Sequence, residues 1–145
     1  MVTTYVLDTS VLLASPKAIF AFAEHEVVLP LIVIRELEKK RNDPEIGYLA
    51  RQALRSLEEL RSTKGDLKAG VVVNLDGGTL KVVVEKGNRD LLPETLRDSY
   101  SHDTSILTVA ATLIDQGKKV VLVSKDLPMR LLASTAAGIV AEDYK

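Results

Sequence analysis

The sequence contains no cysteine and no tryptophan. Without thiols the chain can form no disulfide, no thiolate zinc site and no cysteine nucleophile, so its chemistry must use oxygen groups. Histidine is scarce as well: neither His25 nor His102 has the second histidine four positions on that a metalloprotease helix requires. Four tyrosines and two phenylalanines give no evident stacking platform for single-stranded bases.

An excess of one charge and a long apolar run are also missing. The formal net charge is -1, so any contact with a phosphate backbone must come from local clusters rather than from a strongly basic domain. No apolar run approaches the roughly 20 residues that cross a bilayer, and the amino terminus lacks the features of a secretory signal. We therefore expect no membrane partner and a cytoplasmic location.

Strand and helix signals alternate along the chain. Its 145 residues, 46% of them hydrophobic, suit one globular core, so we expect residues 1–145 to form a single domain. Apolar strands are predicted at 5–8, 26–30, 120–124 and 138–142, and helices at 17–24, from about 31, at 46–60, 104–116 and 126–137. This alternation predicts an α/β fold with a mainly parallel sheet.

Two apolar runs interrupt that alternation. Val71–Val73 and Thr79–Val84 are separated by a short polar stretch, which predicts a β-hairpin near 71–85. The hairpin would form either an antiparallel edge or an insertion. Residues 87–101 are polar and contain Pro93, so we expect an irregular or weakly helical surface segment there.

Four carboxylates lie beside strongly apolar segments. Asp8 follows the first predicted strand, and Asp126 follows the strand at 120–124. Glu36 lies early in a predicted helix, and Asp103 opens another. Ligand sites in open parallel sheets form outside the carboxyl ends of the strands, near the switch in strand order. We expect these acids to converge in a pocket suited to hard divalent cations.

Each acid alone also has a purely structural explanation. Asp8, Asp103 and Asp126 occupy positions where acids cap helices or interact favourably with the helix dipole. Glu36 can pair with a lysine one helical turn away. The metal-site interpretation therefore depends on the four acids as a set. One such acid is readily explained by structure alone, whereas the accidental convergence of all four is much less expected.

Four short motifs carry these acids. They are Tyr5–Leu13 (YVLDTSVLL), Val33–Leu37 (VIREL), Ser101–Leu107 (SHDTSIL) and Val123–Asp126 (VSKD). In order and spacing they resemble the motifs of PIN domains over essentially the whole chain. Within that family the sequence is most similar to the PIN domain at the amino end of PhoH-like proteins, because residues 121–126 and 141–144 look characteristic of that group.

The resemblance implies a Rossmann-like three-layer fold, with a central mainly parallel sheet flanked by helices. It also implies metal-dependent hydrolysis of RNA phosphodiester bonds with Mg²⁺ or Mn²⁺. We expect the substrate to be single-stranded RNA. The residues that it makes catalytic and metal-binding are Asp8, Glu36, Asp103 and Asp126.

Two positions depart from the family pattern. Ser10 and His102 stand where many members have asparagine. Ser10 can still donate a hydrogen bond to a carboxylate or to a water on the metal, whereas we do not expect His102 to be catalytic. Ser124 either orients such a water or caps the end of its strand.

Basic residues near the acids are candidate RNA contacts. They are Lys39, Lys40, Arg41, Lys125 and Arg130. Contacts of this kind give affinity without sequence preference and weaken as salt rises. For each of them a solvated surface position is an equally good interpretation.

Activity and assembly stay open. The chain is either an active endoribonuclease or a catalytically silent module that binds RNA or a partner. It belongs either to a longer protein with a C-terminal ATPase, as in PhoH-like proteins, or to a freestanding toxin-type nuclease. The apolar face of residues 46–60 and the patch at 20–22 would serve as a homo-oligomer interface or as core.

Overall fold

Six strands form one sheet in the order β3-β4-β2-β1-β5-β6 in the computed structural model, which describes residues 2–145. The strands are β1 (Thr4–Leu7), β2 (Glu26–Pro30), β3 (Val71–Val72), β4 (Thr79–Val83), β5 (Val120–Val123) and β6 (Ala141–Glu142). Neighbouring strands pair in parallel, except that β3 and β4 are antiparallel. The predicted mainly parallel α/β sheet is confirmed.

The central strands are short runs of valine and leucine. All four residues of β5 are buried, as are Val27–Pro30 of β2. A strand buried on both faces needs cover on both sides of the sheet. Helices supply that cover: α1 (Thr9–Ala14), α2 (Leu31–Lys40), α3 (Gly47–Lys64), α4 (Glu94–Arg97), α5 (His102–Asp115) and α6 (Leu127–Leu131).

The strand order reverses at β1. From β1 the chain builds β2 and then β4 on one side, and it later returns to place β5 on the other side of β1. β1 thus pairs with β2 and with β5, in registers that bring Leu7 opposite Val123. A reversal of this kind opens a crevice at the carboxyl end of β1.

The predicted hairpin near 71–85 is confirmed, and it forms the antiparallel edge rather than an insertion. Val71 pairs with Leu80, while β4 also pairs in parallel with β2. Asn74 holds the connecting loop in place: its side-chain amide donates to the carbonyl of Ala23 at 2.9 Å, and its Oδ1 accepts from the N–H of Gly78 at 2.9 Å.

The predicted helix over 17–24 is wrong. Only a short 3-10 turn forms there, at Ala18–Phe20. The ring of Phe22 lies 4.7 Å from that of Tyr5, and Ala23 has a φ of 49°, so contacts to β1 and a left-handed backbone override the local helical composition.

The end of the chain is also less regular than predicted. α6 covers Leu127–Leu131 and continues as a π-helical turn at Leu132–Ala136 instead of one helix over 126–137. The closing strand is limited to Ala141–Glu142. Among the described residues, no helix has the length and hydropathy that a membrane crossing requires.

Candidate active site

Asp8 lies at the switch in strand order, directly after β1. Its side chain is buried, with 6% of the residue exposed. Its backbone N–H donates to the carbonyl of Val123 at 3.0 Å. Its Oδ2 accepts hydrogen bonds from Ser10 Oγ at 2.9 Å and from Ser124 Oγ at 2.7 Å. Two hydroxyls therefore hold one oxygen of this carboxylate and leave Oδ1 outside both bonds.

Ser10 and Ser124 join the ends of β1 and β5. Ser10 Oγ accepts from the N–H of Lys125 at 2.9 Å, and Ser124 Oγ accepts from the N–H of Asp126 at 3.0 Å. The structure thus places Ser10 as expected, on a carboxylate. Ser124 caps the end of its strand through the bond to Asp126, which is one of its two expected roles, and it also makes a direct bond to Asp8 that the sequence did not predict.

Asp103 and Asp126 add negative charge to the same crevice. Asp103 lies in the first turn of α5 and is partly buried, whereas Asp126 is exposed and precedes α6. Burial raises the pKa of the Asp103 carboxyl, the charges of Asp8 and Asp126 raise it further, and His102 opposes them. Asp8 and Asp126 are therefore each close enough to Asp103 for their charges to act on it.

Glu36 reaches this region from α2. Its Oε2 lies 3.7 Å from Nε2 of His102, the residue before Asp103, and its Oε1 lies 3.9 Å from Nζ of Lys40. Within residues 2–145, Nε2 of His102 is buried and has no hydrogen-bond partner. The ion pair of Glu36 with a lysine one turn away, which the sequence suggested, is therefore present. The other carboxylate oxygen of Glu36 lies near the start of α5.

The residues present fit a hard divalent cation by the chemistry of their donors. Throughout residues 2–145, no three Asp, Glu, His or Cys side chains are close enough to form a finished metal site. Mg²⁺ and Mn²⁺ prefer carboxylate oxygens, and a cation would offset both causes of the raised pKa of Asp103, which are its burial and the negative charges of Asp8 and Asp126.

The predicted RNA contacts fall into two groups. Lys39, Lys40 and Arg41 lie at the end of α2, and Lys40 pairs with Glu36. Lys39 and Arg41 are exposed, and the carbonyl of Arg41 accepts a hydrogen bond from Arg51. This group lies on the same helix as Glu36.

Lys125 and Arg130 bind the end of the chain instead. Lys125 Nζ lies 3.1 Å from a carboxylate oxygen of Asp143 and donates to the carbonyl of Tyr144 at 2.8 Å. Arg130 Nη1 lies 3.3 Å from the same oxygen of Asp143 and donates to the carbonyl of Ser124 at 2.9 Å. The two cations therefore share the single negative charge of Asp143.

A cavity beside the acids was missed by sequence reasoning. Its volume is about 420 Å³, and it lies between the start of α2, the end of β4 and the first half of α5. Arg89 stacks on Tyr100 at its rim, with Cζ 4.1 Å from the ring centroid. Both residues come from the polar segment 87–101, where neither had a recognisable partner in the sequence.

Comparison with known proteins identifies the class. Residues 5–145 match the family model of the PIN domain, and the chain belongs to that family. It is 53% identical over 142 residues to Protein PhoH2 of Thermobispora bispora and 52% identical over 143 residues to Protein PhoH2 of Mycolicibacterium smegmatis. These alignments cover 98% and 99% of this chain but 32% of each relative, so the chain spans about a third of their length. It corresponds to the amino-terminal PIN domain of PhoH-like proteins.

Solved structures agree on the fold. A domain of a functionally unknown protein from Methanocaldococcus jannaschii superposes with a TM-score of 0.60 at 25% identity, covering 99% of this chain and 91% of that one. VapBC2 from Rickettsia felis, bound to a DNA fragment from its promoter, gives a TM-score of 0.55 at 12% identity, covering 99% and 100% of the two chains. At that identity the second likeness shows the fold alone.

Proposed function

We propose that this PIN domain is a metal-dependent endoribonuclease that hydrolyses RNA phosphodiester bonds, with single-stranded RNA as substrate and Mg²⁺ or Mn²⁺ as cofactor. The observation that carries the proposal is the buried Asp8, held by two serine hydroxyls at the switch in strand order while Asp103 and Asp126 charge the same crevice. The residues that would hold the cation are Asp8, Glu36, Asp103 and Asp126. We also propose that residues 1–145 act as one cytoplasmic domain.

The chemistry explains why acids are needed. When bound, a divalent cation helps to deprotonate the attacking water at neutral pH and neutralises negative charge on the phosphate and leaving oxygens. Ser10 and Ser124 both donate to Oδ2 of Asp8, which limits rotation of the carboxylate. Because burial and neighbouring acids raise the pKa of Asp103, a cation in the crevice would favour ionisation of this carboxyl.

His102 is a positioning residue in this proposal. Its Nε2 lies 3.7 Å from Glu36 and brings that carboxylate toward the start of α5. At this separation the two groups make no hydrogen bond, so His102 would act on Glu36 through close approach alone. This role does not require proton transfer by His102, in line with the sequence expectation.

The test is cleavage of labelled single-stranded RNA by the purified chain with Mn²⁺, beside an Asp8→Asn, Asp103→Asn double variant. The proposal expects cleavage by the first and none by the second. Glu26→Gln is the matched control, because it removes a partly buried carboxylate at the opposite end of the strands and should leave cleavage intact. Cleavage that survives in the double variant, or that is absent from the wild type, contradicts the proposal.

A catalytically silent RNA-binding or partner-binding module is the second candidate. The observation in its favour is that, over residues 2–145, no three potential ligands meet closely enough for a finished metal site. Normal affinity for Mn²⁺ without cleavage of any RNA tested would favour this function over the nuclease.

We further propose that the domain acts within a longer protein. The curated relatives are about three times as long as the matched region, since it makes up 32% of each. In such a protein an ATPase domain would follow this domain at its C-terminal side. The apolar face of residues 46–60 packs in the core, where Ala50, Ala53, Leu57 and Leu60 are buried, so that face serves as core rather than as an interface. A homo-oligomer remains a separate proposal, tested by the mass of the protein in solution.

A further inference from the structure

The cavity near the acids has the size of a ligand pocket. Its volume of about 420 Å³ lies within the range of roughly 300–1,000 Å³ that is usual for small-molecule sites. Its floor is apolar and includes Ile32 and Val109, whereas its rim carries the cations Arg35, Lys86 and Arg89 beside Tyr100, with Glu85 as the one carboxylate among the lining residues. An apolar floor with a basic and aromatic rim suits a ligand that combines a flat ring with a negative charge.

The cavity and the Glu36–His102 pair lie between the same two helices, α2 and α5. Ile32 and Glu36 are four residues apart on α2, and His102 and Ser105 are three apart on α5, so each pair lies on one helical face. Ile32 and Ser105 line the cavity, while Glu36 and His102 approach to 3.7 Å. The two sites are therefore about one helical turn apart, or about 5.4 Å along each axis.

The cations at the rim are available for a ligand. Throughout residues 2–145, none of Arg35, Lys86 and Arg89 forms an ion pair with a carboxylate, unlike Lys125 and Arg130 near the C-terminal end. Arg89 is held in place by donating to the carbonyl of Ser99 and by stacking on Tyr100. A fixed guanidinium binds a phosphate at lower entropic cost than a free one.

Tyr100 supplies an exposed ring at the same rim. It is 77% exposed although a large aromatic side chain is usually mostly buried. Arg89 lies over the ring and positions it beside the cavity. Proteins that bind single-stranded nucleic acid combine such rings, on which bases stack, with cations that follow the backbone.

We propose that this cavity binds one nucleotide of the RNA strand next to the bond that is cut, with the base against Tyr100 and the adjoining phosphate at Arg35 and Arg89. The inference rests on the proposed function, because the strand must also reach the acids. It gives the chain a local source of attraction for RNA that its net charge of -1 does not provide. We call this cavity the nucleotide pocket.

Binding of a short fluorescein-labelled single-stranded oligoribonucleotide tests the pocket. Anisotropy is measured with chelator present, so that cleavage does not interfere. Tyr100→Ala should raise Kd by about fivefold to one-hundredfold, while Tyr100→Phe keeps the ring and stays near wild type. Tyr48→Ala is the matched control, because Tyr48 is also exposed, at 53%, but lies on α3 away from the pocket. Circular dichroism establishes that each variant is folded.

Competition separates recognition of the base from recognition of the phosphate. Nucleoside monophosphates should displace the labelled strand from the wild type better than ribose 5-phosphate does, and Tyr100→Ala should abolish that difference. Arg89→Ala should reduce the slope of log K for RNA binding against log salt concentration by about 0.7 in magnitude. Arg55→Ala, on the exposed surface of α3, should leave this slope unchanged. If ribose 5-phosphate or polyglutamate displaces the labelled strand as well as the nucleoside monophosphates do, the proposed nucleotide pocket is contradicted.

Cleavage measured in parallel separates this inference from the proposed function. If the wild type cleaves RNA, and Tyr100→Ala binds and cleaves it as well as Tyr48→Ala does, the pocket is overturned and the nuclease assignment stands. If no variant cleaves RNA but Tyr100→Ala still weakens binding relative to Tyr48→Ala, the pocket is supported and the nuclease assignment fails.

Discussion

Ser124 donates a 2.7 Å hydrogen bond to Asp8, from a position 116 residues further along the chain. The contact exists because β1 and β5 pair with Leu7 opposite Val123, so the residues that follow these strands are also neighbours. Both side chains are buried, and Ser124 has no exposed surface. A buried hydroxyl on a buried carboxylate contributes to stability as well as to the geometry of the crevice.

Removal of this hydroxyl should destabilise the protein. A hydrogen bond to a charged group contributes about 1.5–3 kcal/mol, so Ser124→Ala should lower the free energy of unfolding by roughly that amount and also slow RNA cleavage. Chemical denaturation and cleavage assays measure the two effects. Ser134→Ala, which removes an exposed hydroxyl near the end of the chain, should change neither. A fully stable and active Ser124→Ala would show that the bond is dispensable.

Asp103→Asn should stabilise the protein in chelator while abolishing cleavage. The pKa of Asp103 is raised in the folded state, which means that the charged carboxylate is less favourable in the folded protein than in the unfolded chain. Stability is therefore lost as pH rises through that folded pKa, and a neutral asparagine avoids this loss. The variant should therefore melt at a higher temperature than the wild type at neutral pH, and the difference should vanish in acid. Differential scanning calorimetry across pH measures it, with Asp76→Asn, in an exposed loop, as the control. A lower melting temperature for Asp103→Asn would count against a crowded acidic crevice.

Divalent ions should raise the melting temperature of the wild type. Binding to the folded state alone stabilises by about 2.7 kcal/mol when the ion concentration is about 100 Kd. The rise should occur with Mg²⁺ or Mn²⁺, compared with chelator, and should be lost in Asp8→Asn. Thermal scans of both proteins provide the measurement. The same rise in Asp8→Asn would place the ion elsewhere.

The pH dependence of stability should have a contribution from Glu26, at the other end of the strands. Burial would raise the pKa of this carboxyl, but hydrogen bonds from Lys118 at 2.9 Å and Thr4 at 2.8 Å outweigh it and hold the pKa below its ordinary value. The contribution is therefore present above the ordinary pKa of 4.5 and is lost as pH falls through the lowered folded pKa.

Glu26→Gln tests this assignment. It should cost on the order of 1–2 kcal/mol at pH 7, and the difference from wild type should shrink toward zero in acid. Denaturant titrations at several pH values measure it, with Glu38→Gln on the exposed side of α2 as the control. A difference that is independent of pH would mean that packing rather than charge is responsible.

The basic residues should differ in their effect on RNA binding. Lys39→Ala should weaken binding and lower its salt slope by about 0.7, because Lys39 is exposed at the end of α2. Lys125→Ala should change the slope less, since its ammonium group is already held by Asp143 and Tyr144. Binding measured over a range of salt concentrations compares them. The reverse order would show that RNA displaces the C-terminal contacts.

Much of the fold follows from local pattern. The run Val120–Val123 predicts a buried strand, and the spacing of apolar residues over 46–60 predicts an amphipathic helix that the structure extends to Gly47–Lys64. α3 ends at Gly65, whose φ of 108° is a conformation that other residues rarely adopt. The failure at 17–24 has a clear cause, because Phe22 packs on Tyr5 and overrides a weak helical tendency.

The sequence by itself determined most of the succession of strands and helices along the chain, with the exception of residues 17–24, and the family motifs that contain the acids, since these depend on residues close together in the chain. Only the tertiary structure decided that Ser124 donates a hydrogen bond to Asp8 and that Glu36 approaches His102. It also decided that Lys125 and Arg130 form ion pairs with Asp143. It also placed Arg89 on Tyr100 beside the crevice. Such contacts join segments whose separation in space depends on strand register and helix packing, which no local pattern specifies.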